Sequence, residues 1–95
     1  MKPAQKKKVA LYVGELSALF GRVKGKKDAE KLLADFLTER ELHDIALRWQ
    51  IVKRLAKDVP HRAISEELGI SIAKVTRGSK ALQKNHGAFS KLLRK

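Results

Sequence analysis

The sequence predicts an all-α fold of six helices that contains a helix-turn-helix. Apolar residues recur at spacings of three and four along the chain, and no segment alternates convincingly as a strand would. Residues 60–84, PHRAISEELGISIAKVTRGSKALQK, have the pattern of two short helices around a glycine turn. The net charge is +12, from 22 Lys and Arg against 10 Asp and Glu. These features favour a small, basic, helical domain with a polyanionic partner.

The first two helices are predicted from apolar stripes that glycines interrupt. Residues 1–7 are expected to form a flexible basic arm, followed by a single domain over residues 8–95. An amphipathic helix is expected from about Lys8 to Val23, after which Gly25 breaks the chain. Asp28 is expected to cap a second helix, whose apolar face carries Leu32 and Phe36.

The third helix is predicted to begin at a capping box, Thr38-Glu39-Arg40-Glu41. A long apolar stripe follows, and the helix is expected to end near Lys57. Val59 precedes a proline and is therefore biased away from helix, while Pro60 can begin the next helix.

The helix-turn-helix is predicted over residues 60–84. Ile64 and Leu68 give its first helix an apolar stripe, and Gly69 allows the left-handed backbone of a sharp turn. Ser71 can cap the second helix, which points Val75 and Leu82 inward. An ordinary helical hairpin in a core is the alternative interpretation of the same pattern.

A short last helix is expected from about Ala88 to Arg94, after Asn85-His86-Gly87 ends the fifth. The helices over residues 8–57 carry more apolar surface than a small helix-turn-helix can cover. We therefore expect residues 8–57 and 88–94 to form the interface of a homodimer, which would set two recognition helices about one DNA turn apart.

The distribution of charge agrees with a nucleic-acid partner. No acidic residue follows Glu67, so the second half of the helix-turn-helix is purely basic. Charge alone would also suit RNA or an anionic membrane, but here it coincides with the motif. The chain has no cysteine, no apolar run long enough to span a membrane, and no pattern of catalytic, metal-binding or phosphate-binding residues. We therefore expect a cytoplasmic, non-enzymatic protein without a metal or resident cofactor.

The stretch LTERELHDIALRWQIVKRL, followed by RAISEELGISIAKVTRGSKAL, resembles the bacterial Trp repressor family over residues 37–84. The resemblance implies a Trp repressor-like fold in which two chains form an intertwined homodimer. It also implies a transcriptional repressor that binds double-stranded operator DNA in the major groove, with L-tryptophan as corepressor.

The same resemblance implies a ligand site on five residues. Arg48 would pair with the carboxylate of the amino acid through its planar guanidinium, and Arg77 would stack on the indole. Gly78 would leave room beside the ring, Thr38 would lie near the carboxylate, and the turn at Leu37 would offer backbone carbonyls to the amine. Without the resemblance, a solvated charge is the better interpretation of Arg48, a phosphate contact of Arg77 and a helix cap of Thr38.

For DNA contact, the resemblance and side-chain chemistry indicate residues at the starts of the two motif helices. Arg62 is expected to reach a guanine, Ile72 and Ala73 thymine methyl groups, and Thr76 a base edge or a water. Ile72 is equally consistent with a buried residue at a helix start. Phosphate contacts are expected from the basic side chains of His61, Lys74 and Lys80. The full set of predicted DNA-contacting residues is His61, Arg62, Ser71, Ile72, Ala73, Lys74, Thr76 and Lys80.

Two residues depart from the family pattern. Lys74 stands where a threonine is usual, and Ala81 stands where a serine usually assists the ligand's amino end, which removes a hydrogen bond of about 1 kcal/mol. One alternative is therefore a DNA-binding regulator of the same fold that needs no ligand. Another is a non-specific, basic architectural dimer that binds nucleic acid by charge alone.

Overall fold

The computed structural model describes residues 2–83 and 87–93, which form six helices and no strand. The predicted all-α class is confirmed. The helices are α1 (Pro3–Gly21), α2 (Gly25–Phe36), α3 (Glu39–Leu55), α4 (His61–Leu68), α5 (Ile72–Gln83) and α6 (Ala88–Leu93). The predictions for Lys84, for Asn85 and His86, and for Arg94 lie outside the described residues.

The chain divides into two compact units at the junction of Thr38 and Glu39. The first unit contains α1 and α2, and the second contains α3 to α6. This division falls inside the single domain that the sequence predicted over residues 8–95.

Helix α1 begins at Pro3, so residues 3–7 are helical where the sequence predicted a flexible arm. Proline fits the first turn because it lacks only an N–H that has no partner there. The N–H of Lys2 donates to Oε1 of Gln5 at 3.1 Å, which closes the helix start. The lysines that suggested an arm are also good helix formers, and this explains the difference.

Helix α2 begins at Gly25, whose φ of +80° suits glycine. The prediction that Asp28 caps this helix is wrong, because the helix starts earlier and Asp28 lies in its first turn. A carboxylate there is still favourable beside the positive end of the helix dipole. The rings of Phe20 and Phe36 are in contact at 5.9 Å, yet no residue of either helix is buried.

The second unit has a small core where α3, α4 and α5 meet. Ile51, Ile64 and Val75 form a buried cluster, and Val52 is also fully buried. The inward orientation predicted for Val75 is confirmed, whereas Leu82 is only partly buried. Ile64 of the predicted apolar stripe is also fully buried. Partly buried apolar side chains pack around this cluster, namely Leu55, Val59, Leu68 and Ile70.

The connection between α4 and α5 is short and well bonded. Gly69 has a φ of +63°, as the predicted turn requires, and the N–H of Ile70 donates to the carbonyl of Ser65 at 3.1 Å. The hydroxyl of Ser65 donates to the carbonyl of Ile70. Ser71 accepts from the N–H of Lys74 at 3.3 Å, which is the predicted cap of α5. These bonds hold α5 at a fixed angle to α4.

Candidate functional site

Helices α3 and α5 approach closely at Gly78, which is buried. A Cβ atom at this position would lie 2.5 Å from Cγ2 of Ile51, closer than carbon atoms can pack. Gly78 was assigned from the resemblance to the space beside a ligand ring. In this structure its neighbour is Ile51, so the glycine allows the two helices to pack against each other.

A cleft of about 270 Å³ lies beside this contact, between α3 and α5. Arg48 and Arg77, the two predicted ligand-binding arginines, both line it, and Lys74 lines it as well. The complete lining is Arg40, Asp44, Leu47, Arg48, Ile51, Lys74 and Arg77. The structure therefore brings together Arg48 and Arg77, which are 29 positions apart in the sequence.

The cleft is strongly positive, because its lining has four cationic side chains and one carboxylate. The carboxylate, Asp44, lies 3.7 Å from Arg40 one turn away, with both side chains exposed. In the described part of the chain, Arg48, Arg77 and the ammonium of Lys74 form no ion pair. Three cations therefore remain available to an anionic group in the cleft.

Sequence reasoning missed four residues of α3 that line the cleft. Arg40 and Asp44 lie two turns and one turn before Arg48, and Leu47 and Ile51 lie beside it on the same face of α3. This helical spacing was the available signal. It was applied instead to the opposite face of α3, where the apolar stripe through Ile45 and Trp49 was predicted.

Leu37 and Thr38, also predicted to bind ligand, belong to the first unit. Leu37 follows α2, and its N–H donates to the carbonyl of Leu33 at 3.0 Å. Helix α3 begins directly after Thr38, at the position that the capping box predicted.

The predicted DNA contacts form an exposed surface on α4 and α5. Each of the eight side chains is exposed, and Ile72 retains 48% of its accessible surface. The alternative that Ile72 is a buried helix-start residue is therefore wrong for this chain. Thr76 donates its hydroxyl to the carbonyl of Ile72 at 3.0 Å, so only its oxygen lone pairs stay open to an outside donor.

An ion pair that sequence reasoning did not predict joins α4 to α3. Nε of Arg54 donates to Oε2 of Glu67 at 3.1 Å. Nη1 of the same guanidinium donates to the carbonyl of Gln50 at 3.2 Å and to its Oε1 at 2.7 Å. Since Arg54 is mostly covered, this network helps to fix the α4–α5 pair on the end of α3.

A family model described as Trp repressor protein matches residues 13–95. This chain belongs to the Trp repressor family. It is 39% identical over 75 residues to a Trp operon repressor homolog of Chlamydia trachomatis serovar D, which covers 74% of this chain and 80% of that protein. A homolog of the same name from Chlamydia caviae is 34% identical over 82 residues, or 85% of this chain and 81% of that protein. No solved structure matches the chain.

Neither a metal centre nor a membrane-spanning helix is found in the described part of this Trp repressor family member. Its described side chains contain no group of three or more His, Cys, Asp or Glu residues that could hold a metal ion. None of the described helices is both long and apolar enough to cross a membrane. The α3–α5 cleft and the exposed surface of α4 and α5 are therefore the features on which a function can be argued.

Proposed function

We propose that this Trp repressor family member is a sequence-specific transcriptional repressor that binds double-stranded DNA as a homodimer, with L-tryptophan as corepressor. The observation that carries the proposal is the position of the positive cleft directly behind α5, whose outer side chains are exposed. A ligand in that cleft touches the same helix that would enter the major groove.

The chemistry of the exposed α4–α5 surface supports DNA binding. Arg62 can donate to both guanine acceptors, while Ile72 and Ala73 offer apolar contact to thymine methyl groups. Lys80, Lys74 and His61 suit phosphate oxygens, which orient a protein on the duplex without reading sequence. The combination of base-reading and phosphate-binding side chains favours a specific binder over a purely electrostatic one.

Control by an amino acid follows from the two walls of the cleft. Arg48 on α3 would hold the carboxylate, and Arg77 on α5 would cover the flat face of the side chain. A ligand held from both helices favours one angle between them, and therefore favours the conformation in which α5 fits the groove. This is a population shift, so it requires tighter ligand binding in the DNA-competent state.

The apolar surface of α1 supports a homodimer. Its large apolar side chains remain exposed in a single chain, among them Leu11 at 71%, Tyr12 at 61% and Val13 at 53%. A second copy of the chain would remove this surface from water and would supply the second α5 that a two-fold symmetric operator needs.

The proposal is tested by selecting binding sites from a random duplex library with the purified protein, with and without L-tryptophan. We expect enrichment of a two-fold symmetric sequence, and tighter binding to it when L-tryptophan is present. Arg77→Ala should remove the effect of L-tryptophan. If no sequence is enriched and affinity disappears steeply with salt, the protein is a non-specific charge binder.

Lys74 favours a second candidate function, a repressor of the same fold that needs no ligand. Its ammonium lines the cleft and supplies a permanent charge beside α5. In that case the selected site would be bound with the same affinity whether or not L-tryptophan is present, and Lys74→Thr would make binding ligand-dependent.

A further inference from the structure

The lining of the α3–α5 cleft points to a ligand with more negative charge than an amino acid carries. We propose that the cleft prefers an apolar molecule that bears a dianionic group, and that Lys74 contacts this group together with Arg48. The inference rests on the part of the proposed function that makes this cleft the effector site. It adds that a dianionic aromatic molecule binds there more tightly than L-tryptophan does.

The charge balance of the cleft is the first argument. Four cations and one carboxylate line it, and the carboxylate already lies beside Arg40. A zwitterionic amino acid adds no net charge, so it leaves this excess uncompensated and places its own ammonium among cations. A dianion compensates most of this excess positive charge.

The position of Lys74 is the second argument. The lysine lines the cleft from α5, while Arg48 lines it from α3, so one anionic group can be held from both walls. The backbone N–H of Lys74 is bonded to Ser71, but its ammonium has no carboxylate partner among the described residues. An ammonium on a flexible stem suits a phosphate or a second carboxylate, which it can approach from several directions.

The apolar part of the lining is the third argument. Leu47 and the largely buried Ile51 form an apolar wall in the same cleft. A small inorganic anion would leave this wall exposed to water, whereas a ring would cover it and lie within reach of Arg77. The ligand class is therefore an aromatic body with a phosphate or a second acid group.

The test is calorimetric titration of the purified protein, without DNA, with three probes of increasing negative charge. These are L-tryptophan, 1-naphthylacetate and 1-naphthyl phosphate, used at about pH 8, where a phosphate monoester is dianionic. Lys74→Thr removes the charge from the cleft. Lys91→Thr is the matched control, since it removes the same charge from α6, at an exposed position that does not line the cleft.

We expect affinity to rise from L-tryptophan to 1-naphthyl phosphate. Lys74→Thr should weaken 1-naphthyl phosphate by about tenfold, the scale of one charge-assisted hydrogen bond, and should leave L-tryptophan unchanged or tighter. Lys91→Thr should bind all three probes as the unmodified protein does. Circular dichroism of both variants establishes that they are folded.

Each other outcome is decisive. Saturable binding of L-tryptophan with no gain for 1-naphthyl phosphate overturns the inference and leaves the proposed function standing. Equal losses in the two lysine variants also overturn it, because the effect would then come from the net charge of the protein and not from a contact in the cleft. If none of the probes binds, both the inference and the ligand-controlled part of the proposed function fail.

Discussion

Replacing Gly78 by alanine tests whether the close approach of α3 and α5 holds the second unit together. The new Cβ would lie 2.5 Å from Cγ2 of Ile51 and 3.4 Å from its Cβ. Ile51 is only 3% exposed, so its side chain cannot turn away into water. Overpacking of this kind costs about 1–3 kcal/mol.

Part of that cost is offset, because alanine in a helix interior is favoured over glycine by about 1 kcal/mol. We therefore expect Gly78→Ala to lower the free energy of unfolding by up to about 2 kcal/mol, and the melting temperature by about 4–8 °C for each kcal/mol lost in a chain of this size. The assay is thermal and urea denaturation at one fixed protein concentration, because dimerisation would make stability depend on concentration.

The chain offers a matched control in Gly14, a helical glycine of α1 around which a Cβ would meet nothing within 4 Å. Gly14→Ala should stabilise the protein by up to about 1 kcal/mol. Ile51→Leu removes the Cγ2 that causes the clash and should partly rescue Gly78→Ala, whereas Ile51→Val keeps that atom and should not. If Gly78→Ala is as stable as Gly14→Ala, the reasoning about this contact is refuted.

Three further predictions concern the turn, the α3–α4 ion pair and the exposed surface. Gly69→Ala should destabilise the protein by about 1 kcal/mol in urea denaturation, because its φ of +63° is unfavourable for a residue with a Cβ; an unchanged midpoint would contradict this. Glu67→Gln should lower the free energy of unfolding by no more than about 0.5 kcal/mol, because the Glu67 side chain is exposed. This destabilisation, which comes from the lost ion pair with Arg54, should become smaller as the salt concentration is raised. Arg62→Ala should weaken binding to a selected DNA site by about 1–3 kcal/mol and relax its preference at one base pair; uniform weakening across sequences would indicate a phosphate contact instead.

The sequence was most informative where a residue has one physical role. Ile64 and Val75 lie on the apolar faces of amphipathic helices, and such faces pack into the interior. Both residues are fully buried. Gly69 and Ser71 satisfy a turn and a helix cap that depend on neighbouring residues alone, so local rules were sufficient.

The sequence was less informative where two roles compete or where distant segments meet. Lysines near Pro3 suit both an arm and a helix, and composition does not decide between them. The contact of Gly78 with Ile51 depends on the crossing of two helices, which no local pattern encodes. Exposure of Ile72 likewise depends on what the rest of the fold leaves uncovered. Arg48 and Arg77 were placed through the resemblance, since their own spacing carries no signal.

The tight contact at Gly78 also determines how α5 can move. Gly78 is the point at which α5 comes closest to α3, so a tilt of α5 would turn about this position together with the attached α4. Ile72 lies six residues away, or about 9 Å along the helix axis. A tilt of about 10° would displace it by about 1.5 Å, half the length of a hydrogen bond. Lys74 and Arg77 lie between Gly78 and the exposed start of α5. A small movement of these residues, as a ligand spreads or closes the cleft, would therefore produce a larger displacement at Ile72.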